Sequence, residues 1–442
     1  MQRYEAYKDS GVEWIGEIPD DWSKSRIGWI NANPISYGII KLGDEPHSGG
    51  VKVFRCSDVH EGYLDLCGIR AVTQELSDEY SRTVLHGGEV LINVRGTLGG
   101  CSTVPAECNG WNIAREVAVV DVRLDVVPRF VMYFMLGNAF WSYLQANLAG
   151  SVYQGLNIEL LEKATIFLPS LSEQQAIADY LDAKTAEIDS IVSQTERSIG
   201  LLREYRKSVI SEAVTKGLDP NAPMRDSGVE WIGEIPAGWS LVKLGVVATK
   251  IGSGKTPRGG ANVYHDEGIT FLRSQNIYDT GLRLDDVAYI SEEVDEEMSA
   301  TRVFKGDVLL NITGGSIGRC CTYDLEAHAN VNQHVCIIRP SGKALPKWIR
   351  YFWNSNPGRT TVDIHQSGAN REGLNFEQIA SARIPLPSVN EQTKIVLYID
   401  AKTAEIDSLI ADKQRQVELL REYRKSLISE AVTGKFKVPG LE

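Results

Sequence analysis

Asp9 to Pro19 reads DSGVEWIGEIP, and the same eleven letters return at Asp226 to Pro236, an offset of 217. Farther along, Ala183 to Ser190 (AKTAEIDS) returns at Ala401 to Ser408, and Leu201 to Ser208 (LLREYRKS) at Leu419 to Ser426, the offset now being 218. Between Ala183 and Thr215 on one side and Ala401 and Thr433 on the other, 23 of 33 positions agree. Self-similarity at this period means one fold built twice in tandem.

Between the repeated blocks only landmarks survive, and they keep register: Arg55 and Arg273, Asn93 and Asn311, Asn112 and Asn330, Gly155-Leu156-Asn157 and Gly373-Leu374-Asn375, Leu168-Pro169-Ser170 and Leu386-Pro387-Ser388. A duplication under one uniform structural demand drifts evenly. This one has drifted in part of each half, so a scaffold is held while two inserts, Trp22 to about Thr165 and Trp239 to about Arg383, are free to differ.

From Ile177 the apolar positions step by fours and threes: Ile177, Leu181, Ile188, Ile191, Leu202, Tyr205, Val209, with the twin series Ile395, Ile399, Ile406, Leu409, Leu420, Tyr423, Leu427. That stepping is a heptad seam on a long helix. Each helix is expected from Leu171 or Val389 to about Thr215 or Thr433. Pro169 and Pro387 bar an earlier start, Ser172 or Asn390 serves as cap, and Gly217 and Gly434 are the stops. Lys184, Thr195 and Ser198, against Lys402, Lys413 and Gln416, interrupt the seams, which fits a register-setting pair better than a leucine zipper. An antiparallel pair within the chain is expected because two copies related by a two-fold bury identical seams against each other, although the seams alone do not fix the orientation.

The inserts alternate β-rich runs with turns. Val51 to Arg55, Glu89 to Val94 and Val117 to Asp121 read as strands, with Ile269 to Arg273, Asp307 to Ile312 and Val335 to Ile338 as counterparts; short helices follow near Arg129 to Leu136 and Pro346 to Trp353. The expectation is an α+β protein: two globular heads around mixed or mostly antiparallel sheets, joined by two long antiparallel coiled-coil helices with pseudo-two-fold symmetry. At 442 residues, 43% apolar and 24% charged, the chain suits several packed domains. A formal charge of −12 argues against holding nucleic acid by bulk positive charge alone, though not against local basic surfaces. Seven cysteines without a C-x-x-C pair point to free thiols in a reducing, cytoplasmic compartment. The polar, acidic start and the lack of a long apolar run give no expectation of a signal peptide or membrane span.

Catalytic signatures do not form. In Gly252-Ser253-Gly254-Lys255-Thr256 the first glycine of a phosphate-binding loop would fall at Thr249, and Pro257 with Gly259-Gly260 denies the helix that should follow. Gly96 to Gly100 and Gly314 to Gly318 lack dinucleotide-binding spacing. There is no H-E-x-x-H, and His334 has Glu116 as its positional twin. A non-enzymatic, two-headed binding protein remains, its heads offering polar loops rich in side chains that contact base edges and phosphates. Two unlike heads on a spacer suit double-stranded DNA with two half-sites. A coiled-coil scaffold whose heads bind proteins is the competing reading.

Ser10 to Pro19 with Trp22, Gly252 to Pro257, Asn330 to Val335, Leu386-Pro387 with Glu391-Gln392, and Leu419 to Lys435 together give the chain its resemblance to the specificity subunits of type I restriction-modification systems. The resemblance covers nearly the whole length. It implies a first target recognition domain at 1–169, a first long spacer helix at 170–216, a second target recognition domain at 217–387 with its linker at 217–238, a second helix at 388–433 and a tail at 434–442. It further implies that each domain reads one half of an asymmetric split DNA sequence while the helices set the gap. The chain itself would be non-catalytic and bind no cofactor. Two modification subunits would transfer methyl groups from S-adenosylmethionine, and restriction subunits would use ATP and magnesium.

By the same analogy the DNA-contacting residues are expected in Arg55, Ser57, Asp58, Arg95, Thr97, Tyr153 and Gln154 of the first head. In the second they are Ser253, Lys255, Thr256, Arg258, Arg273, Gln275, Asn276, Thr313, Ser316, Gln366, Asn370 and Arg371. For Arg55 and Arg273, shared by both heads, a structural ion pair within the head is the alternative. Ile188, Leu202, Tyr205, Ile406, Leu420 and Tyr423 are assigned to helix pairing and partner docking.

Overall fold

The computed structural model describes residues 2–148, 155–366 and 373–441. The chain divides into two compact units, one made of residues 1–196 with 415–442, the other of residues 197–414. The segment 434–442, set apart as a tail by its sequence, packs into the first unit: Phe436 and Val438 are buried in its core, and Lys437 N–H donates to the Gln2 carbonyl at 2.8 Å.

Each unit is built on the same sheet. In the first, strands run in the order Ser36–Tyr37, Val117–Val120, Val90–Asn93, Cys101–Thr103, all antiparallel; in the second, Ala248–Ser253, Val335–Pro340, Val308–Asn311, Cys320–Thr322 repeat it. The register is also repeated, Ala118 facing Ile92 as Cys336 faces Leu310. Val90 and Ile92 enter one core and Leu91 another, and Val308, Leu310 and Leu309 do likewise. That explains why these strands read as unbroken apolar runs: both faces are covered. Beside this sheet lies a parallel pair in each unit, Val51–Phe54 with Asn112–Ile113 and Ile269–Leu272 with Ala329–Val331. Each head thus sets an antiparallel sheet beside a mixed one, within the mostly antiparallel or mixed expectation.

Pro128–Leu136 and Pro346–Asn354 open with proline at the first turn, where its missing N–H costs nothing. They lie between sheet and long helix and bury both flanks, seven of nine residues in the first case being buried. The long helices are single elements, Leu171–Lys216 and Val389–Val432. Their caps differ from the expected Ser172 and Asn390. The hydroxyls of Ser170 and Ser388 accept from Glu173 N and Glu391 N, each at 3.3 Å, because the helix begins immediately after them. Gly217 (φ +74°) and Gly434 (φ +68°) end the helices in the left-handed region; a Cβ at Gly434 would stand 2.3 Å from Pro19 Cδ.

The first turn of each long helix forms a joint with its head. Buried Gln174 accepts Val127 N–H at 2.9 Å and donates to the Pro169 carbonyl at 3.1 Å; Gln392 accepts Leu345 N–H at 2.9 Å and donates to the Pro387 carbonyl at 3.0 Å. The indole N–H of Trp22 reaches Glu173 at 3.3 Å, and that of Trp239 reaches Glu391 at 2.9 Å.

Within each unit a piece of one long helix runs antiparallel to a piece of the other. In the first, Asp189 meets Arg424 and Glu196 meets Arg421; in the second, Arg206 meets Asp407. Ile177, Leu181, Ile188 and Val209 are buried, as are Ile395, Ile399, Ile406 and Leu427, and Leu202 and Leu420 are half-buried. Tyr205 and Tyr423, however, are 55% and 48% exposed, and Ile191 and Leu409 also face outward. The seam instead passes through Ile199 and Val417 and continues through Arg206 and Arg424. The step after Leu202 and Leu420 is four residues, not three, which turns the tyrosines off the seam. Lys184 and Lys402 pair with Glu187 and Glu405 on the outside, and the polar seam residues beside them are Thr185 and Thr403, whose hydroxyls bond back to Leu181 and Ile399.

Candidate nucleic-acid interface

Asn93 and Asn311, the buried last residues of the central strands, hold the loops in which the candidates lie. Asn93 Nδ2 donates to the carbonyls of Cys56, Val59 and Thr97 at 2.9, 3.0 and 3.1 Å, so it ties the Arg55 to Asp58 turn to the Arg95 to Thr97 loop. Asn311 Nδ2 does the same in the second head, reaching the Ser274 carbonyl at 2.8 Å and Ser316 Oγ at 3.0 Å. Equivalent loops are thus brought to equivalent strand ends.

In the first turn the candidates bind one another. Asp58, buried, accepts Arg55 N at 2.8 Å, Arg55 Nε at 3.1 Å, Arg55 Nη2 at 3.0 Å and Ser57 Oγ at 2.8 Å. In the second head buried Asn276 accepts Arg273 N at 2.9 Å and donates to the Arg283 and Asp286 carbonyls, while Arg273 and Gln275 both reach the Asp286 carboxylate. Asp58 and Asn276 therefore face inward and frame their turns; their polar atoms are not presented to a partner. Arg55 and Arg273 are in the structural ion pairs held open as their alternative.

Gly252 to Thr256 forms no phosphate cradle. Ser253 ends a strand, and a Cβ on Gly254 would lie 1.8 Å from the Val331 carbonyl, the same close approach that Gly38 makes to the Ile113 carbonyl in the first head. The glycine is there for backbone packing. Lys255 N–H is already donated to the Val331 carbonyl at 3.1 Å.

A cavity opens beside this glycine in both heads. In the second, about 390 Å³, it is lined by Lys255, Thr256, Arg258, Glu297 and Met298 among others. Thr256 bonds to Gln333, Gln333 Nε2 lies 3.0 Å from His334 Nε2, and His334 Nδ1 lies 2.6 Å from Thr313 Oγ1. This chain of polar side chains connects three separate sequence segments. In the first head the cavity, about 620 Å³, is lined by Tyr37, Ile40, Tyr80, Arg82, Arg95 and Arg115 among others. Val94 N–H and Arg95 N–H both donate to the Glu116 carbonyl, at 2.8 and 3.2 Å, as Ile312 N–H donates to that of His334 at 3.0 Å. Arg95 and Arg115 thus flank Glu116 as Thr313 and Gln333 flank His334.

The structure gathers Lys255, Thr256, Arg258 and Thr313 about one edge of the second head, but of the first head's candidates among the described residues it brings only Arg95 to the cavity. Thr97 is exposed on its loop. Gln366 ends the helix Asn356–Gln366, and its buried Nε2 has no hydrogen-bond partner among the described residues. Tyr153, Gln154, Asn370 and Arg371 lie outside the described residues. Arg82, Arg115, Tyr37, Gln333 and His334 were not singled out as binding residues from sequence; the signal for two of them was that Arg82 and Arg115 change to Ala300 and Gln333 next to retained Thr83/Thr301 and Asn112/Asn330. Among the described residues no cluster of His, Cys, Asp and Glu is arranged to hold a metal, and no helix is long and apolar enough to cross a membrane.

Comparison with known proteins places this geometry. Residues 19–199 and 236–419 match the family described as Type I restriction modification DNA specificity domain. The chain is 26% identical over 444 residues to the type I restriction enzyme EcoBI specificity subunit of Escherichia coli, covering 96% of this chain and 88% of that one. Its fold is similar to a chain solved in work on assembly and conformational transition of the type I R-M system, with TM-score 0.73 and 17% identity over 94% of this chain and 99% of the other. It is similar too to the HsdS subunit from Thermoanaerobacter tengcongensis, with TM-score 0.52, 18% identity, and 94% and 98% covered.

Proposed function

The chain belongs to the family of type I restriction modification DNA specificity domains, and on that premise we propose that it is the DNA specificity subunit of a type I restriction-modification complex. Each head reads one half of an asymmetric, split double-stranded target, and the long helices set the gap. The chain catalyses nothing itself. Two modification subunits dock on the repeated helical blocks and methylate adenine with S-adenosylmethionine, and restriction subunits supply ATP- and magnesium-dependent cleavage. The complex works in the cytoplasm, where the DNA is.

One observation carries this reading: two heads share strand order, register and loop clamps, yet line equivalent cavities with different side chains. Equal frames with unequal cavities suit two different half-sites along one linear ligand. The −12 net charge fits a subunit whose partners supply much of the grip on phosphates.

Long-read methylation mapping of host DNA with and without the gene tests it. Loss on deletion of one split, asymmetric, adenine-methylated motif is the expected result. A methylome unchanged by deletion, in a host whose modification subunit is active, would overturn it.

A further inference from the structure

Arg82, Arg95 and Arg115 come from three separate stretches of the first head and line one cavity of about 620 Å³. Among the described residues none of their guanidinium groups has an ion pair or hydrogen bond, whereas Arg55, Arg129, Arg206, Arg302, Arg339 and Arg359 are all paired to carboxylates. All three are exposed, so their donors face solvent and are free to meet an anionic or acceptor-rich ligand.

The duplication provides an internal control. The equivalent positions of the second head hold Ala300, Thr313 and Gln333, none of which lines that head's smaller cavity. Around them the frame is unchanged. Thr83 Oγ1 donates to Asn112 Oδ1 at 2.7 Å next to Arg82, and Thr301 does the same to Asn330 at 2.5 Å next to Arg302. The second cavity takes its positive charge from its loop, Lys255 and Arg258, not from the strand ends. The arginines therefore belong to what distinguishes the heads. A phosphate clamp is blind to sequence and would be wanted equally by both. The cavity also carries Glu79, kept as Glu297, and a carboxylate is misplaced in a phosphate clamp but can accept from the amino group of cytosine.

We propose that this cavity reads a G·C pair in the half-site of the first head, the planar forks of Arg82, Arg95 and Arg115 supplying donors to guanine O6 and N7. The inference rests on the reading of the chain as a DNA specificity subunit and adds which base the first head selects and by which residues. A bidentate arginine on guanine discriminates against other bases by about ten- to a hundredfold.

The test replaces the three residues by their twins, R82A with R95T and R115Q, in the full chain with its partner subunits, and maps the methylated motif. The expected result is that one half of the motif loses its demand for a G·C pair, with discrimination falling at least tenfold, while the other half is unchanged. A motif unaltered in both halves overturns the proposal. So does a uniform fall in methylation with both halves still specified, which marks a phosphate contact. The glutamine variant, R82Q with R95Q and R115Q, keeps hydrogen-bond donors but matches adenine, not guanine. It too is expected to relax that half or turn it toward A·T, and a wild-type motif from it overturns base reading. Should the triple variant lose all methylation, the glutamine variant decides. If wild-type host DNA has no split motif dependent on this gene, it is the reading of the chain as a specificity subunit that fails.

Discussion

Arg206 holds Asp407 through two hydrogen bonds, Nε to Oδ1 at 2.9 Å and Nη2 to Oδ2 at 3.1 Å. The duplicated residues repeat the pair with partners exchanged, Arg424 Nε lying 3.0 Å from Asp189 Oδ1. Each long helix thus supplies an acid from its AKTAEIDS block and a base from its LLREYRKS block, which gives both blocks a reason to have been held. Asp407 is 43% exposed on its side chain, so screening keeps the pair modest. A double-mutant cycle on Arg206→Ala and Asp407→Ala is expected to give a coupling of about 0.5–1 kcal/mol by urea denaturation. A coupling near zero would remove the pair from the forces that set helix register.

Tyr205 and Tyr423 stand off the seam beside exposed Leu201 and Leu419, the same apolar pair on both helices. Replacing either tyrosine by alanine is expected to change stability by less than about 0.5 kcal/mol, as for other surface positions. If these pairs receive the modification subunits, capture of those subunits by the full chain weakens in each single variant and more in the double. Unaltered capture in the double variant would place docking elsewhere.

Asp295 replaces Ser77 of the first head and puts a buried carboxylate under the second cavity. Burial acts to raise its pKa, and hydrogen bonds from Arg302, Asn330 and His328 outweigh that and leave it below the usual carboxylate value. A pKa lowered by folding stabilises above the unfolded value, near 3.9, and the stabilisation is lost as pH falls through the folded value. The second head is therefore expected to loosen below about pH 4. Asp295→Ser should cost about 2 kcal/mol at pH 7, a cost that shrinks as pH falls through that range. Hydrogen exchange across Glu292 to Val303 at both pH values measures it; a cost independent of pH would show that the carboxylate's charge is not what matters.

Gln392 satisfies a helix-start N–H and a carbonyl in a buried joint, so Gln392→Ala strands both. About 2–3 kcal/mol should be lost from the second unit, and the same from the first with Gln174→Ala. Urea denaturation followed by tryptophan fluorescence reads this, since Trp239 and Trp348 pack in the second joint with ring centroids 5.7 Å apart. A loss under about 0.5 kcal/mol in either would mean water reaches the joint.

Strands, short helices and the span of both long helices were legible because apolar period reports burial directly. Val90 to Asn93 and Leu171 to Lys216 fell within a residue or two of expectation. Finer features failed where sequence offered near-equivalent choices. Ser170 and Ser172 are both fit to cap, and a step of three or four after Leu202 separates Tyr205 from Arg206 by one residue. The cavity was harder to see, since Tyr37, Arg82, Arg95 and Arg115 are distant in the chain and only folding brings them together. Comparing the halves position by position was the one sequence signal that pointed at two of them. Arg55 and Asp58, by contrast, are neighbours whose pairing could be weighed from sequence as one of two alternatives.

The union of Gln2 with Lys437 and of Tyr180 with Phe436, ring centroids 6.0 Å apart, bears on how the chain matures as it leaves the ribosome. The second unit has all its residues once position 414 has emerged. The first unit, begun before it, lacks part of its core until Leu427, Ala431 and Phe436 have been made. The first unit is thus completed after the second, and premature termination beyond position 414 would harm the start of the protein more than its middle.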